Sequence, residues 1–210
     1  MFHLITGGSG SGKSAFAEDW LVRVSRGKRI YIATMYPFDE ESHARIRRHR
    51  AMRASKQFMT VERYTDLAGL SLPEGADVLL ECMSNLTANE MYRQDGAGED
   101  TVQAIRKGID RLLAQAANLA VVTNEIFSDG IHYDDSTELY LKNLGTINQA
   151  MAARADLVTE VVYGIPVPVK MPQRMDGRKP YVAVGAKKNT AGGSGDGAKA
   201  AADREKEETA

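Results

Sequence analysis

Short apolar runs alternate with longer helical segments over about the first 170 residues of the chain. Each run has the length of a buried strand, and together they predict strands at 2–6, 29–33, 60–62, 78–81, 119–123 and 157–163. Helices are predicted between them, beginning near Lys13, at about residue 40, near Val102 and at about residue 135. Strands that alternate with helices predict an α/β fold, a three-layer sandwich with a mostly parallel central sheet.

Two ends of elements can be predicted from individual residues. Asp135 is expected to cap the last long helix, because Glu138 follows three residues later, as in a capping box. The run 164–170 resembles a final strand, but Pro166 and Pro168 cannot donate to a ladder, so we expect it at a sheet edge or as an irregular extension.

The pattern ends at about residue 171. Residues 190–210 consist of small and charged residues with no large apolar side chain, so burial cannot offset the entropy of ordering them. We therefore expect a catalytic domain at 1–170 and a mostly disordered tail at 171–210.

A phosphate-binding loop connects the first predicted strand to the first predicted helix. The P-loop pattern G-x-x-x-x-G-K-[ST] is satisfied by Gly7, Gly8, Ser9, Gly10, Ser11, Gly12, Lys13 and Ser14. The glycines let the backbone N–H groups point at phosphate oxygens, and the N-terminus of the next helix favours the same negative charge. Lys13 is expected to reach the outer phosphates, and the Ser14 hydroxyl to ligate Mg²⁺. Nucleotide binding is favoured over a flexible turn because a strand precedes the loop and a helix follows it.

Composition excludes some classes of function. The chain has 210 residues, a net charge of −1 and one cysteine, Cys82. This charge gives no indication of nucleic-acid binding, and no apolar stretch has the length of a membrane span. A single cysteine excludes an internal disulfide framework and favours the cytoplasm.

A basic helix is predicted between the second and third strands. Arg45, His49 and Arg53 are spaced four residues apart and would line one helix face. A histidine among arginines has its neutral, nucleophilic form favoured, and the arginines could hold phosphates through bidentate hydrogen bonds. A solvated basic face is the alternative, and the charge pattern alone favours it. Glu81, at the end of an apolar strand, is expected beside the P-loop, where it suits a Mg²⁺ or ribose contact.

Several short motifs occur in order: T-G-G-x-x-S-G-K-S, I-A-T, R-I-x-x-H, T-x-E, L-L-E-C and V-T-N-E, then N-Q-x-x-A-x-x-A-D at 148–156 and G-I-P at 164–166. Over about residues 1–170 the chain resembles the bifunctional adenosylcobinamide kinase/adenosylcobinamide-phosphate guanylyltransferase family of cobalamin biosynthesis. The P-loop alone is shared by many families, whereas the ordered set is specific. The resemblance implies a P-loop NTPase-like fold and a homo-oligomer, because family members assemble as trimers.

The resemblance also implies two linked activities with GTP or ATP as substrates and Mg²⁺ as cofactor. The enzyme would phosphorylate the aminopropanol hydroxyl of adenosylcobinamide and then transfer GMP from GTP onto that phosphate, giving adenosylcobinamide-GDP. In the family, the histidine of R-I-x-x-H accepts the GMP, and His49 holds that position here. His49 and Lys13 are therefore the expected catalytic residues, and adenosylcobinamide and its phosphate the expected partners.

The nucleotide site of the family can be carried over to matching positions. Beyond the P-loop, the expected contacts are Thr34, Met35, Tyr36, Arg50, Ala51, Met52, Arg53, Glu62 and Glu81. Ser14 and Glu81 are the expected Mg²⁺ ligands. Asn124-Glu125 is nearly as compatible with an exposed loop as with a substrate contact.

The sequence departs from the family pattern at several positions. Arg48 replaces the first of two histidines found in some members, Ala54 replaces a proline, and Phe58 an expected tryptophan. The loop 128–133 replaces the usual G-x-G-I-V-P. These changes concern the corrinoid contacts and the kinase half, so two alternatives stay open. One is a P-loop kinase for another small alcohol without nucleotidyl transfer, and the other a nucleotide-binding module without turnover.

Overall fold

The structure, a computed structural model, describes residues 1–172, apart from the side chains of Arg45, His49 and Met52. The tail predicted at 171–210 therefore lies almost entirely outside the described residues. Within these residues, no helix combines the length and apolarity needed to cross a membrane.

One sheet runs through the described part of the chain. Its seven strands are β1 (Phe2–Thr6), β2 (Arg29–Ala33), β3 (Phe58–Glu62), β4 (Ala76–Glu81), β5 (Ala116–Val122), β6 (Leu157–Val162) and β7 (Ile165–Lys170). Their order is β3-β2-β4-β5-β1-β6-β7, and only β7 is antiparallel to its neighbour. The mostly parallel sheet is confirmed, and so is the edge position of the proline-containing last strand.

Five α-helices accompany the sheet in residues 1–172. They are α1 (Lys13–Val24), α2 (Glu40–Arg53), α3 (Met83–Tyr92), α4 (Thr101–Gln115) and α5 (Asp135–Arg154). The sequence pattern did not predict α3. The predicted cap of α5 was wrong by one residue, because the Asp134 side chain, not that of Asp135, accepts hydrogen bonds from the backbone N–H groups of Ser136 and Thr137.

Alternate side chains of the strands supply two separate cores, one on each face of the sheet. On one face, Trp20 and Leu21 of α1 pack over a cluster that includes Tyr31 and Leu79. On the other, α3, α4 and α5 cover a larger cluster that includes Ile30, Ile32, Val78, Leu80, Leu86, Ile105, Leu112, Leu144 and Ile147. Each fully buried side chain of this size contributes about 1.5–3 kcal/mol relative to exposure. These two cores confirm the three-layer α/β sandwich.

The parallel strands end at one edge of the sheet. The P-loop follows β1, Thr34 follows β2, Glu81 ends β4 and Thr123 follows β5. Because ligands of such sheets bind beyond the carboxyl ends of the strands, this edge is where a site is expected.

Candidate active site

The P-loop has a backbone shape that favours glycine at three positions, since Gly7, Gly10 and Gly12 all have positive φ values. Gly12 precedes α1 with a φ of 90°, in the left-handed region. Gly7 has a φ of 151°, and a Cβ there would lie 2.5 Å from the carbonyl oxygen of Val161. The turn after β6 also holds the loop, since the Gly164 N–H donates to the Ser11 carbonyl at 2.8 Å. The loop is therefore fixed by its neighbours as well as by its own glycines.

Lys13, the lysine of the P-loop motif, is largely buried within the loop. Its Nζ donates to the Gly8 carbonyl oxygen at 3.0 Å, and 8% of the residue is exposed. Burial lowers the pKa of Lys13, while the nearby Cys82 and Glu81 act in the opposite direction. The amine thus lies across the loop whose N–H groups would cradle phosphates.

The side chains of Ser14 and Glu81 place hydroxyl and carboxylate oxygens side by side next to the loop. The Ser14 hydroxyl donates a hydrogen bond to Oε1 of Glu81. Burial raises the pKa of Glu81, opposed by this hydrogen bond and by the charges of Lys13 and Arg53. Hydroxyl and carboxylate oxygens fit Mg²⁺, which binds few protein ligands and completes its shell with phosphates and water. Residues 1–172 contain no group of three or more His, Cys, Asp or Glu side chains arranged to hold a metal.

The side chain of Thr34 has a structural role. It is fully buried, and its hydroxyl donates to the Cys82 carbonyl at 2.8 Å and accepts from the Cys82 N–H at 2.7 Å. Asn89 Nδ2 donates to the Thr34 carbonyl at 2.8 Å. Thr34 therefore joins the ends of β2 and β4, and its hydroxyl is occupied within the protein.

One cleft, here called the nucleotide cleft, brings five of the expected site residues together. It is lined by Met35, Arg50, Arg53, Glu62 and Glu81, with further contributions from Tyr31 and Asn85. Ala51 is exposed on α2 and does not line this cleft. Tyr36 lies in a neighbouring depression, where its ring contacts the Arg93 guanidinium at 4.1 Å from the centroid and the Tyr64 ring at 5.1 Å.

The C-terminal end of α2 is fixed by two arginines. Arg53 is buried, with its guanidinium carbon 3.4 Å from the centroid of the Tyr31 ring, a close cation–π contact. Arg50 Nη2 lies 2.6 Å from Glu62 Oε1 at the end of β3. His49 belongs to this last part of α2, one helical turn before Arg53, or about 6 Å along the axis. The backbone therefore brings residue 49 to the helix end that borders the nucleotide cleft.

Lys56 ties the turn after α2 to the P-loop helix. Its Nζ lies 2.8 Å from a carboxylate oxygen of each of Glu18 and Asp19 in α1. Glu18 is fully buried, and burial raises its pKa, while Lys56 acts in the opposite direction. Sequence reasoning missed this ion pair, and also Tyr31, Asn85 and Arg93, because only the packing of α1, α2 and the sheet brings them to the site.

The remaining candidates lie elsewhere. Asn124 Nδ2 donates to Ser84 Oγ at 2.7 Å, and the Glu125 carboxylate accepts from Phe127 N–H and Ser128 Oγ within its own loop. His132 is exposed beside α5. Cys82 is buried, as expected of a small apolar residue.

Comparison with known proteins gives a consistent family. Residues 3–169 match the model of the cobinamide kinase / cobinamide phosphate guanyltransferase family, CobU. The bifunctional adenosylcobalamin biosynthesis protein CobU of Escherichia coli is 34% identical over 185 residues, which cover 81% of this chain and 100% of that protein. The corresponding CobP of Pseudomonas aeruginosa is 31% identical over 178 residues, which cover 81% of this chain and 98% of that protein.

Similarity to solved structures is slight. The flagellar accessory protein FlaH of Methanocaldococcus jannaschii gives a TM-score of 0.43 at 10% identity, covering 81% of this chain and 78% of that one. A KaiC-like protein of Pyrococcus horikoshii gives 0.46 at 12% identity, covering 85% and 83%. The fold class follows from the strand order and the P-loop position, and the match over residues 3–169 shows that the chain belongs to the cobinamide kinase / cobinamide phosphate guanyltransferase family.

Proposed function

We propose that this chain is a bifunctional enzyme that phosphorylates adenosylcobinamide and then guanylylates the product, giving adenosylcobinamide-GDP. One observation carries the proposal beyond family membership. The half-buried Glu81 accepts a hydrogen bond from the P-loop Ser14 and also lines the cleft bordered by Arg50 and Arg53 of α2. The cleft beside the helix that bears His49 is therefore joined to the P-loop through Glu81.

The first step is a phosphoryl transfer. The aminopropanol hydroxyl oxygen of adenosylcobinamide attacks the γ-phosphorus of GTP or ATP, and the bond from that phosphorus to the β–γ bridging oxygen breaks. The nucleoside diphosphate leaves, and the hydroxyl proton passes to solvent or a phosphate oxygen. Lys13 is positioned by the loop to balance charge that develops on the outer phosphates. When bound at Ser14 and Glu81, Mg²⁺ supplies further neutralisation of the phosphate charge.

The second step is a nucleotidyl transfer in two displacements. An imidazole nitrogen of His49 attacks the α-phosphorus of GTP, a nitrogen–phosphorus bond forms, and pyrophosphate leaves as the α–β anhydride bond breaks. The imidazole loses its proton to solvent. A phosphate oxygen of adenosylcobinamide phosphate then attacks the same phosphorus, the nitrogen–phosphorus bond breaks, and the leaving imidazole takes a proton from solvent, which regenerates the histidine.

The charges of the nucleotide cleft suit these steps. Arg50 and Arg53 favour phosphate anions through charge-assisted hydrogen bonds. Arg53 needs no rearrangement for this, because Tyr31 already orients its guanidinium. We also propose a homotrimer, as the family resemblance implies, and a cytoplasmic location, where both nucleotides are available.

Product analysis tests the proposal. Purified protein with adenosylcobinamide, GTP and Mg²⁺ should yield adenosylcobinamide phosphate early and adenosylcobinamide-GDP later, resolved by liquid chromatography and mass spectrometry. Accumulation of adenosylcobinamide phosphate alone would indicate a simple kinase. The absence of both products would indicate a nucleotide-binding module without turnover. Light scattering after size-exclusion chromatography tests the trimer.

A further inference from the structure

A second cleft lies on the opposite side of the sheet from the α1 face. It is formed by the loop after β5 and by α5, has a volume of about 580 Å³, and is here called the α5 cleft. Its lining includes Phe127 and Ile131 of the loop and Lys142, Gly145 and Gln149 of α5. The volume falls within the roughly 300–1,000 Å³ range of small-molecule sites. None of the steps above uses this cleft.

The loop of the α5 cleft is attached to the P-loop. The Glu125 N–H donates to the Gly7 carbonyl at 3.1 Å, which attaches the loop after β5 to the first residue of the P-loop. The Glu125 carboxylate accepts from the Phe127 N–H at 3.1 Å and from Ser128 Oγ at 2.7 Å, and these bonds order the cleft wall. The wall of the α5 cleft is therefore joined to the P-loop through Glu125.

The lining combines exposed apolar side chains with polar ones. Ile131 and Phe127 are 59% and 44% exposed, although both are large and apolar. Around them, Lys142 and Gln149 supply donors, and Asp129 and Glu138 supply carboxylates. Such a mixture suits a ligand with an apolar body and a polar fringe.

The two clefts differ in the charged side chains that line them. The α5 cleft has the acids Asp129 and Glu138 and the cation Lys142, whereas Arg50 and Arg53 of the nucleotide cleft are balanced by Glu62 and Glu81. The Tyr133 hydroxyl donates to Asp129 at 2.6 Å and lowers the pKa of that carboxyl. The excess of one carboxylate therefore favours a neutral or cationic ligand over an anionic one in the α5 cleft.

Gly145 lines the α5 cleft and has no side chain to occupy it. It lies inside the 20-residue helix α5, where glycine costs about 1 kcal/mol relative to alanine. A Cβ at this position would meet only the Phe127 ring, at 3.8 Å, which is ordinary contact. Packing within the described residues therefore does not require glycine here, and a large side chain at this position would enter the cleft that Gly145 lines.

We propose that the α5 cleft binds the corrinoid acceptor, with its amide-fringed macrocycle against Phe127 and Ile131 and its aminopropanol arm directed toward the P-loop. Adenosylcobinamide fits the lining because its corrin ring is apolar at the edges, its side chains are neutral amides, and its cobalt(III) centre leaves a net positive charge. This inference rests on the proposed function and adds to it the place where the acceptor binds.

Two substitutions test the site in the full-length protein. Gly145→Leu fills the cleft floor with a residue that favours helix, and Ile131→Ser removes an exposed apolar contact without disturbing the core. Ala153→Leu adds the same leucine to an exposed position of α5 outside the cleft and is the matched control. Calorimetry would measure the Kd of adenosylcobinamide in the presence of a non-hydrolysable GTP analogue, and the Kd of that analogue alone.

We expect Gly145→Leu to raise the Kd of adenosylcobinamide at least tenfold and Ile131→Ser at least threefold. The affinity of the GTP analogue should stay within twofold of wild type in all three variants, as should corrinoid binding in Ala153→Leu. Corrinoid affinity unchanged in Ile131→Ser and in a folded Gly145→Leu protein would overturn this site and leave the bifunctional proposal standing. A wild-type protein that binds no adenosylcobinamide would overturn the proposed function itself.

Discussion

The Ser14 hydroxyl donates a hydrogen bond to the Glu81 carboxylate, although 67 positions separate the two residues along the chain. The contact exists because β4 ends at the same edge of the sheet as β1, with β5 between them. The contact joins the P-loop to Glu81, which in the sequence is recognisable only as the acid that ends an apolar run. Both side chains thereby present oxygen atoms where the phosphates of a nucleotide would lie.

Glu81→Gln tests the role of this carboxylate. The substitution keeps the shape and the hydrogen bond to Ser14 but removes the negative charge that favours a divalent cation. Loss of a supporting ligand typically weakens metal binding about 10–100-fold, so we expect the Mg²⁺ concentration for half-maximal turnover to rise by that order. Glu99→Gln, in an exposed turn, is the control. An unchanged Mg²⁺ dependence in Glu81→Gln would remove Glu81 from the cation site.

Lys13→Ala tests the P-loop itself. A charge-assisted hydrogen bond contributes about 1.5–3 kcal/mol, so the nucleotide Kd should rise roughly 10–150-fold. Stability should change little, because the only hydrogen bond recorded for the ammonium in residues 1–172 goes to the Gly8 carbonyl. Calorimetric titration with GTP and thermal denaturation measure the two effects, with exposed Lys28→Ala as control. Wild-type affinity in a folded Lys13→Ala protein would contradict the assignment.

Much of the fold could be predicted because the relevant signals are local. The bounds of β1 and β2 were predicted to the residue, and the start of α2 was predicted at about residue 40, since apolar runs, Gly27 and Pro37 delimit them. Helix α3 was not predicted, because it begins directly after β4 at Cys82, whose side chain makes no capping hydrogen bond. The cap of α5 was misplaced because Asp134 and Asp135 have the same capping chemistry, and only the backbone conformation distinguishes them.

Lys56→Met tests how α2 is held against α1. It would leave the fully buried Glu18 carboxylate without its cation, and breaking a buried pair in this way costs about 3–5 kcal/mol. We expect a lower free energy of unfolding in urea and slower guanylylation, with a smaller effect on the Kd of GTP. A nearly unchanged Kd of GTP would show that guanylylation is slower because α2 is displaced, and not because the nucleotide site is lost.

The double variant Glu18→Gln/Lys56→Met supplies the control for this pair. Removing both charges relieves the burial of an unpaired carboxylate, so stability should recover by at least half of the loss. Guanylylation should stay slow if the ion pair positions α2. Full recovery of both stability and rate would mean that the pair acts on stability alone.

His3 predicts a pH dependence of stability. It is 2% exposed, packs against Trp20 with ring centroids 4.7 Å apart, and burial lowers its pKa from 6.5 to about 4. Between pH 6.5 and 4 the unfolded chain therefore binds a proton that the folded protein does not, so the stabilisation present above pH 6.5 is lost as the pH falls. The free energy of unfolding should therefore fall by about 3 kcal/mol at most over this pH range.

The variant His3→Gln keeps a hydrogen-bonding group for Thr159, which bonds the wild-type imidazole at 2.8 Å. Its free energy of unfolding should depend less on pH than that of wild type between pH 6.5 and 4. Denaturant titrations at several pH values measure both proteins. Parallel curves would show that His3 does not carry this dependence.

Part of the candidate site could be predicted from the sequence. The P-loop and Glu81 follow from a local motif and from the end of a strand, Arg53 follows from the spacing of basic residues on α2, and the family resemblance added Arg50 and Glu62. The Arg53–Tyr31 contact and the occupied hydroxyl of Thr34 could not be predicted, since both depend on how β2 packs against α2 and β4.

The location of GMP on the protein is the most direct test of the central claim. Wild-type protein would be incubated with α-labelled GTP and Mg²⁺ and cleaved after glutamate. The GMP should be found by mass spectrometry in the peptide 42–62, on His49 rather than His43, in an adduct that is acid-labile and base-stable. His49→Ala should form no adduct, yet retain phosphorylation of adenosylcobinamide at a measurable rate. A wild-type protein that phosphorylates adenosylcobinamide without forming an adduct, or a His49→Ala protein that still becomes labelled, would contradict the account.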